Sequence, residues 1–91
     1  MVAVDIYTSQ GCPYCSRAKA LLNEKGIGFR ELPVDGNPEI LAEAVSRSQG
    51  RRTVPQIFVD SFHVGGYDEL SQLDQEGKLD SILGLNDGYV G

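Results

Sequence analysis

The chain opens with Val2-Ala3-Val4-Asp5-Ile6-Tyr7, passes through Thr8-Ser9-Gln10-Gly11 and continues with Cys12-Pro13-Tyr14-Cys15. This handover decides the fold. Val4 and Ile6 alternate with Asp5 and Tyr7, the period of a strand with one face in the core. Pro13 suits the first helical position, where its missing N–H costs nothing, and Cys12 then falls at the cap. Tyr14, Ala18, Leu21 and Leu22 follow at helical spacing, and Gly26 after Lys25 is a C-terminal stop.

That placement gives the two cysteines different surroundings. Cys12 sits where unpaired backbone N–H groups and the positive end of the helix dipole favour an anion, and so favour thiolate over thiol. Cys15 is one turn further in, close enough to displace Cys12 from a mixed disulfide, which makes the pair a candidate for reversible thiol–disulfide exchange.

Outward from this stretch, Phe29 to Val34 reads as a second, weaker strand whose end is marked by Pro33. Asp35-Gly36-Asn37-Pro38 is a turn with an Asn cap and a Pro at the first helical position, and Ile40, Leu41, Ala44 and Val45 then trace an amphipathic helix that should stop near Gly50. Gln56 to Asp60 and Phe62 to Val64 are strands separated by so little chain that only a hairpin fits. A helix from about Asp68 to Glu76 ends at Gly77, Leu79 to Leu85 adds a last turn, and Asn86-Asp87-Gly88 to Gly91 reads as a loose tail. The order is β-α-β-α-β-β-α. The first strand, helix and strand demand a right-handed parallel crossover and the hairpin must be antiparallel, so the expected fold class is α/β, a mixed four-stranded sheet flanked by helices.

Composition narrows the alternatives. At 91 residues and 41% hydrophobic content, residues 1–91 are expected to form one domain that buries roughly 60 to 70% of its unfolded surface without a disulfide staple. No apolar run approaches the ~18 to 20 residues of a membrane span, and Met1 to Asp5 lacks the features of a secretory signal. A cytoplasmic location is therefore expected, where a close cysteine pair reads as redox-active or metal-binding. The formal charge of −5, without a long like-charge block, argues against a nucleic-acid surface.

Ile6-Tyr7-Thr8, Cys12-Pro13-Tyr14-Cys15, Thr53-Val54-Pro55-Gln56-Ile57-Phe58-Val59 and Gly65-Gly66 with Asp68 two residues on together resemble glutaredoxins of the dithiol type. Glu31-Leu32-Pro33-Val34-Asp35-Gly36 is similar to the bacterial glutaredoxin 3 group of that family. The resemblance implies a thioredoxin fold and a glutathione-disulfide oxidoreductase that reduces protein disulfides and glutathione mixed disulfides. It casts Cys12 as nucleophile and Cys15 as resolving thiol, with glutathione as co-substrate and no tightly bound cofactor or metal. Pro55 is expected to be cis, with Thr53 and Val54 presenting a backbone edge to glutathione. Gly66, Tyr67 and Asp68 are expected to hold its γ-glutamyl end, their N–H groups taking the carboxylate and the Asp68 side chain the ammonium. Tyr14 would line the groove beside the sulfur.

Two positions depart from the family pattern. Ser9-Gln10-Gly11 stands where many members carry a lysine that helps hold the glycyl carboxylate, so Arg52, with Arg51 and Arg47 as weaker candidates, is expected to supply the charge. Tyr67 stands where several relatives have cysteine. Expected partners are glutathione and disulfide-containing or glutathionylated proteins, ribonucleotide reductase being one candidate, with no nucleic acid, no membrane and a monomeric chain.

Other readings stay open at this point. The cysteines read as half a zinc site only if more ligands join them, and His63 is the sole histidine, a residue expected to be packed rather than catalytic. Read alone, Tyr14 is a partly buried aromatic, Pro55 an edge proline, Gly65-Gly66 a plain turn and Asp68 a helix cap. Two other functions fit the family: a dimer holding a [2Fe-2S] centre through Cys12 and glutathione, which Pro13 disfavours, and an electron donor reduced by thioredoxin reductase, which Gly66 and Asp68 disfavour.

Overall fold

The computed structural model describes residues 2–85. Its elements run β1 (Val4–Thr8), α1 (Pro13–Glu24), β2 (Arg30–Pro33), α2 (Pro38–Arg47), β3 (Gln56–Val59), β4 (Phe62–Gly65), α3 (Tyr67–Gln75) and α4 (Leu79–Ile82). The strands form one sheet in the order β2-β1-β3-β4. β1 pairs in parallel with β2 (Ile6 opposite Glu31), and antiparallel with β3 (Ile6 opposite Ile57), while β3 and β4 form the hairpin. The expected mixed four-stranded sheet, with its parallel β1–β2 pair and antiparallel hairpin, is what the chain builds.

Both faces of the sheet are covered. Ile6, Ala18, Leu22, Ile57, Leu70 and Leu79, each with 0% exposure, form the main core between the sheet and α1, α3 and α4. Each of the isoleucine and leucine side chains contributes about 1.5–3 kcal/mol by leaving water. On the other face Tyr7, Phe58 and Ala44 form a smaller cluster under α2, with Leu32, Val34 and Ile40 packed against it. Tyr7 is therefore as buried as Ile6, whereas alternation in β1 suggested only one covered face. The tyrosine is admitted because its hydroxyl is satisfied by the Glu43 carboxylate and the Arg47 guanidinium, as a buried polar group requires.

Smaller differences have local causes. β1 begins at Val4 rather than Val2 and extends to Thr8, because pairing continues to Pro33 opposite Thr8 while the Ala3 amide is taken by the Asp60 side chain at 2.9 Å. α2 ends at Arg47, where Ser48 is the C-cap, and the chain then turns through positive φ at Gln49 and Gly50. The last turn becomes α4, joined to α1 by Lys25, whose ammonium bridges Asp74 and Asp80 at 2.7 Å each. The tail from Asn86 lies outside the described residues. Among those described, no helix is long and apolar enough to cross a membrane.

Candidate active site

Cys12 is the N-cap of α1, in extended conformation, followed by Pro13 at the start of the helix. Its sulfur accepts the Cys15 N–H at 3.1 Å and is linked to Cys15 by a disulfide with the Cα atoms 5.2 Å apart. Exposure separates the two. Cys12 is half-buried, while Cys15 is 2% exposed on the inward face of the helix, so an incoming sulfur reaches Cys12 first. The N–H that points at the Cys12 sulfur is one of the orphan donors of the helix, a group that favours negative charge there.

Opposite Cys12 runs the segment before β3. The Val54–Pro55 peptide is cis, as the resemblance implied, and the Val54 carbonyl oxygen lies 3.8 Å from the Cys12 sulfur. Tyr14, Thr53, Val54, Pro55, Gly66, Tyr67 and Asp68 line one groove of about 210 Å³. Seven of the residues expected to bind a ligand are thus brought together. The Tyr14 and Tyr67 rings stand 6.1 Å apart and tilted, with the Arg17 guanidinium 5.2 Å from the centre of Tyr14.

Arg52 is not on this groove. It lines a separate depression with Pro38, Leu41, Ala42, Val45 and Ser46, and Arg51 occupies the groove wall instead. Arg47 is used elsewhere, bonded to Asp5 at 2.9 Å and to Tyr7 at 2.9 Å. Ser48, a buried hydroxyl that accepts the Arg51 N–H at 3.2 Å and lies 3.1 Å from the Arg51 carbonyl, fixes the backbone at Arg51, whose guanidinium stands 3.8 Å from Glu69 on the same groove.

The helix end at Gly66 also differs from expectation. The Gly66 N–H donates to the Glu69 carboxylate at 2.5 Å, so this donor is already engaged within the chain. Glu69 lines the groove and stands 3.8 Å from Arg51. Sequence reasoning passed over it, although a Glu three residues after the cap is the spacing of a capping box. Gly65, at φ +116°, could not carry a side chain without displacing Glu69, whose carboxylate oxygen would stand 2.6 Å from an added Cβ.

A second hollow, about 680 Å³, is lined by Cys12 and Cys15 and bordered by Gln10, Lys19, Glu31 and Asp35. Its polar groups are largely paired: Glu31 accepts from Thr8 and Lys19, which together hold its carboxyl below the ordinary value, and Asp35 accepts the Gln10 N–H at 2.6 Å. His63 is half-buried and stacked on Phe58, and burial, followed by the charge of Arg51, lowers its pKa. Among the described residues no group of three or more histidine, cysteine, aspartate or glutamate side chains is placed to hold a metal ion.

A four-stranded mixed sheet with a Cys-x-x-Cys pair at the N-terminus of α1, faced by a cis-proline segment, defines a thioredoxin-fold thiol–disulfide oxidoreductase. The Glutaredoxin family profile matches residues 4–64. Glutaredoxin 3 of Escherichia coli K12 is 57% identical over 83 residues, covering 91% of this chain and 99% of its own. The solution structure of glutaredoxin from Brucella melitensis is 59% identical with a TM-score of 0.79, covering 91% of this chain and 89% of the other. A buckwheat glutaredoxin–glutathione complex is 27% identical with a TM-score of 0.81, covering 99% and 83%. The chain belongs to the glutaredoxin family.

Proposed function

We propose that the protein is a glutathione-dependent reductase of protein disulfides and glutathione mixed disulfides, working in the cytoplasm as a monomer of one domain. The observation that carries this reading is the half-buried Cys12 sulfur lying 3.8 Å from the carbonyl of Val54, a residue that lines a groove running to the N-terminus of α3. A tripeptide seated there by backbone pairing to Val54 would bring its own sulfur to Cys12. The Tyr67 and Asp68 N–H groups suit its α-carboxylate, the Asp68 carboxylate its ammonium, and Arg51 its glycyl carboxylate.

With a glutathionylated protein, the Cys12 thiolate attacks the glutathione sulfur. A bond forms between Cys12 and glutathione, and the protein leaves as a thiolate that takes a proton from water. A second glutathione thiolate then attacks the glutathione sulfur of that adduct, releasing oxidised glutathione and restoring Cys12. With a protein disulfide, Cys12 forms a mixed disulfide with the protein and Cys15 displaces it, giving the Cys12–Cys15 disulfide and a reduced dithiol; two glutathiones then reduce the pair. Cys15 needs only to reach Cys12, which agrees with its burial.

The division of labour sets the test. In an assay coupled to glutathione reductase, Cys12→Ser is expected to abolish turnover of every substrate. Cys15→Ser is expected to retain reduction of a glutathionylated disulfide and to lose most reduction of a protein disulfide. Equal loss in both variants contradicts the roles assigned.

A further inference from the structure

Gln56 is 1% exposed, and its amide bonds Thr53 of the groove wall on one side and His63 of β4 on the other. Its Nε2 donates to the Thr53 carbonyl at 3.0 Å and lies 3.2 Å from the Thr53 hydroxyl. Its Oε1 lies 2.6 Å from Nε2 of His63. The Thr53 carbonyl can only accept, so the amide nitrogen must face Thr53 and the amide oxygen must face His63. Because that oxygen can only accept as well, His63 carries a proton on Nε2. The imidazole is held in place by stacking on Phe58, with ring centroids 4.6 Å apart and planes 18° apart, and Phe58 is itself covered by the Arg47 guanidinium at 4.1 Å.

We propose that Gln56 and His63 are positioning residues for the ligand edge: Gln56 ties Thr53 to the start of β3 and so closes a side-chain ring around Val54 and Pro55, while His63 holds the Gln56 amide in the orientation that makes this tie. Neither residue touches Cys12 or lines the groove. Their effect passes through the backbone of Thr53 and Val54, whose carbonyl faces the Cys12 sulfur. The tie therefore acts on how well a ligand pairs with Val54 and leaves sulfur exchange at Cys12 unchanged. This extension rests on the glutathione reading above.

Gln56→Met keeps the length and removes both ends of the tie. His63→Phe keeps a ring to stack on Phe58 and removes the donor. In the full chain, Gln56→Met is expected to raise KM for glutathione and for a glutathionylated substrate about three- to tenfold, the size of one net hydrogen bond, with kcat changed by less than about twofold. His63→Phe is expected to shift KM in the same direction and to a smaller extent. Nitrogen NMR of the wild-type imidazole is expected to find the neutral ring protonated on Nε2. A ring protonated on Nδ1, or KM unchanged in both variants, or a loss confined to kcat, overturns the proposal. If Gln56→Met does not fold, the His63→Phe kinetics and the imidazole tautomer decide by the same criteria. Wild-type turnover indifferent to glutathione overturns the functional reading together with this extension. Wild-type turnover that saturates in glutathione, with KM unmoved in the variants, overturns the extension alone.

Discussion

Arg51 and Arg52 are adjacent in the chain, yet Arg51 lines the groove of Val54 and Pro55 and Arg52 lies against α2. An exposed loop has no periodicity, so nothing in the sequence distinguishes two neighbouring arginines there; the distinction comes from Ser48, which fixes the Arg51 backbone. Arg51→Gln is expected to raise KM for glutathione about two- to fivefold, the magnitude of one exposed ion pair, whereas Arg52→Gln leaves it unchanged. Steady-state kinetics of the two variants decide, and the opposite pattern would return the role to Arg52. Cys12, Pro13 and Cys15 were legible because helix caps and first-turn prolines follow local chemistry. Gln56 was not, since it acts through a hydrogen bond to His63, which the fold brings to it, whereas Glu69 carried only the local spacing of a capping box.

At the level of elements, β1, β2 and α2 meet at Asp5. Its carboxylate accepts from Arg30 of β2 at 3.1 Å and from Arg47 of α2 at 2.9 Å. Burial works to raise the Asp5 pKa, but the hydrogen bonds from Arg30 and Arg47 outweigh it and hold the group below the ordinary aspartate value. A carboxyl with a depressed folded pKa contributes stability that is complete above its unfolded value and is lost as pH falls through the folded one. Asp5→Asn is therefore expected to cost about 1–2 kcal/mol at pH 7. The difference from wild type should shrink as pH drops below 3.8. Urea unfolding at neutral and acid pH measures both, and a cost independent of pH contradicts the linkage. The order and pairing of strands were readable from alternation, caps and the short hairpin. What alternation concealed was the second buried face of β1, because Asp5 and Tyr7 look solvent-directed until Arg47 and Glu43 supply their partners.

For the whole molecule, the arrangement amounts to one half-buried sulfur and one inner sulfur on a helix end, with a wider polar hollow that the cysteines line and a groove formed by the Thr53–Pro55 segment and the start of α3. The cores above and below the sheet are what keep α1 and the Thr53–Pro55 segment at a fixed distance, so the chemistry depends on packing far from the cysteines. A chain of this size has little stability to spare, and the tie at Gln56 and the cap at Glu69 each bond a part of the groove wall to the rest of the fold. The central claim is that Cys12 itself receives the glutathionyl group. It is tested most directly by incubating Cys15→Ser with a glutathionylated peptide and mapping the adduct by mass spectrometry. One glutathione on Cys12, discharged by added free glutathione, is the predicted result; no adduct on Cys12, or an adduct that free glutathione does not remove, would contradict it.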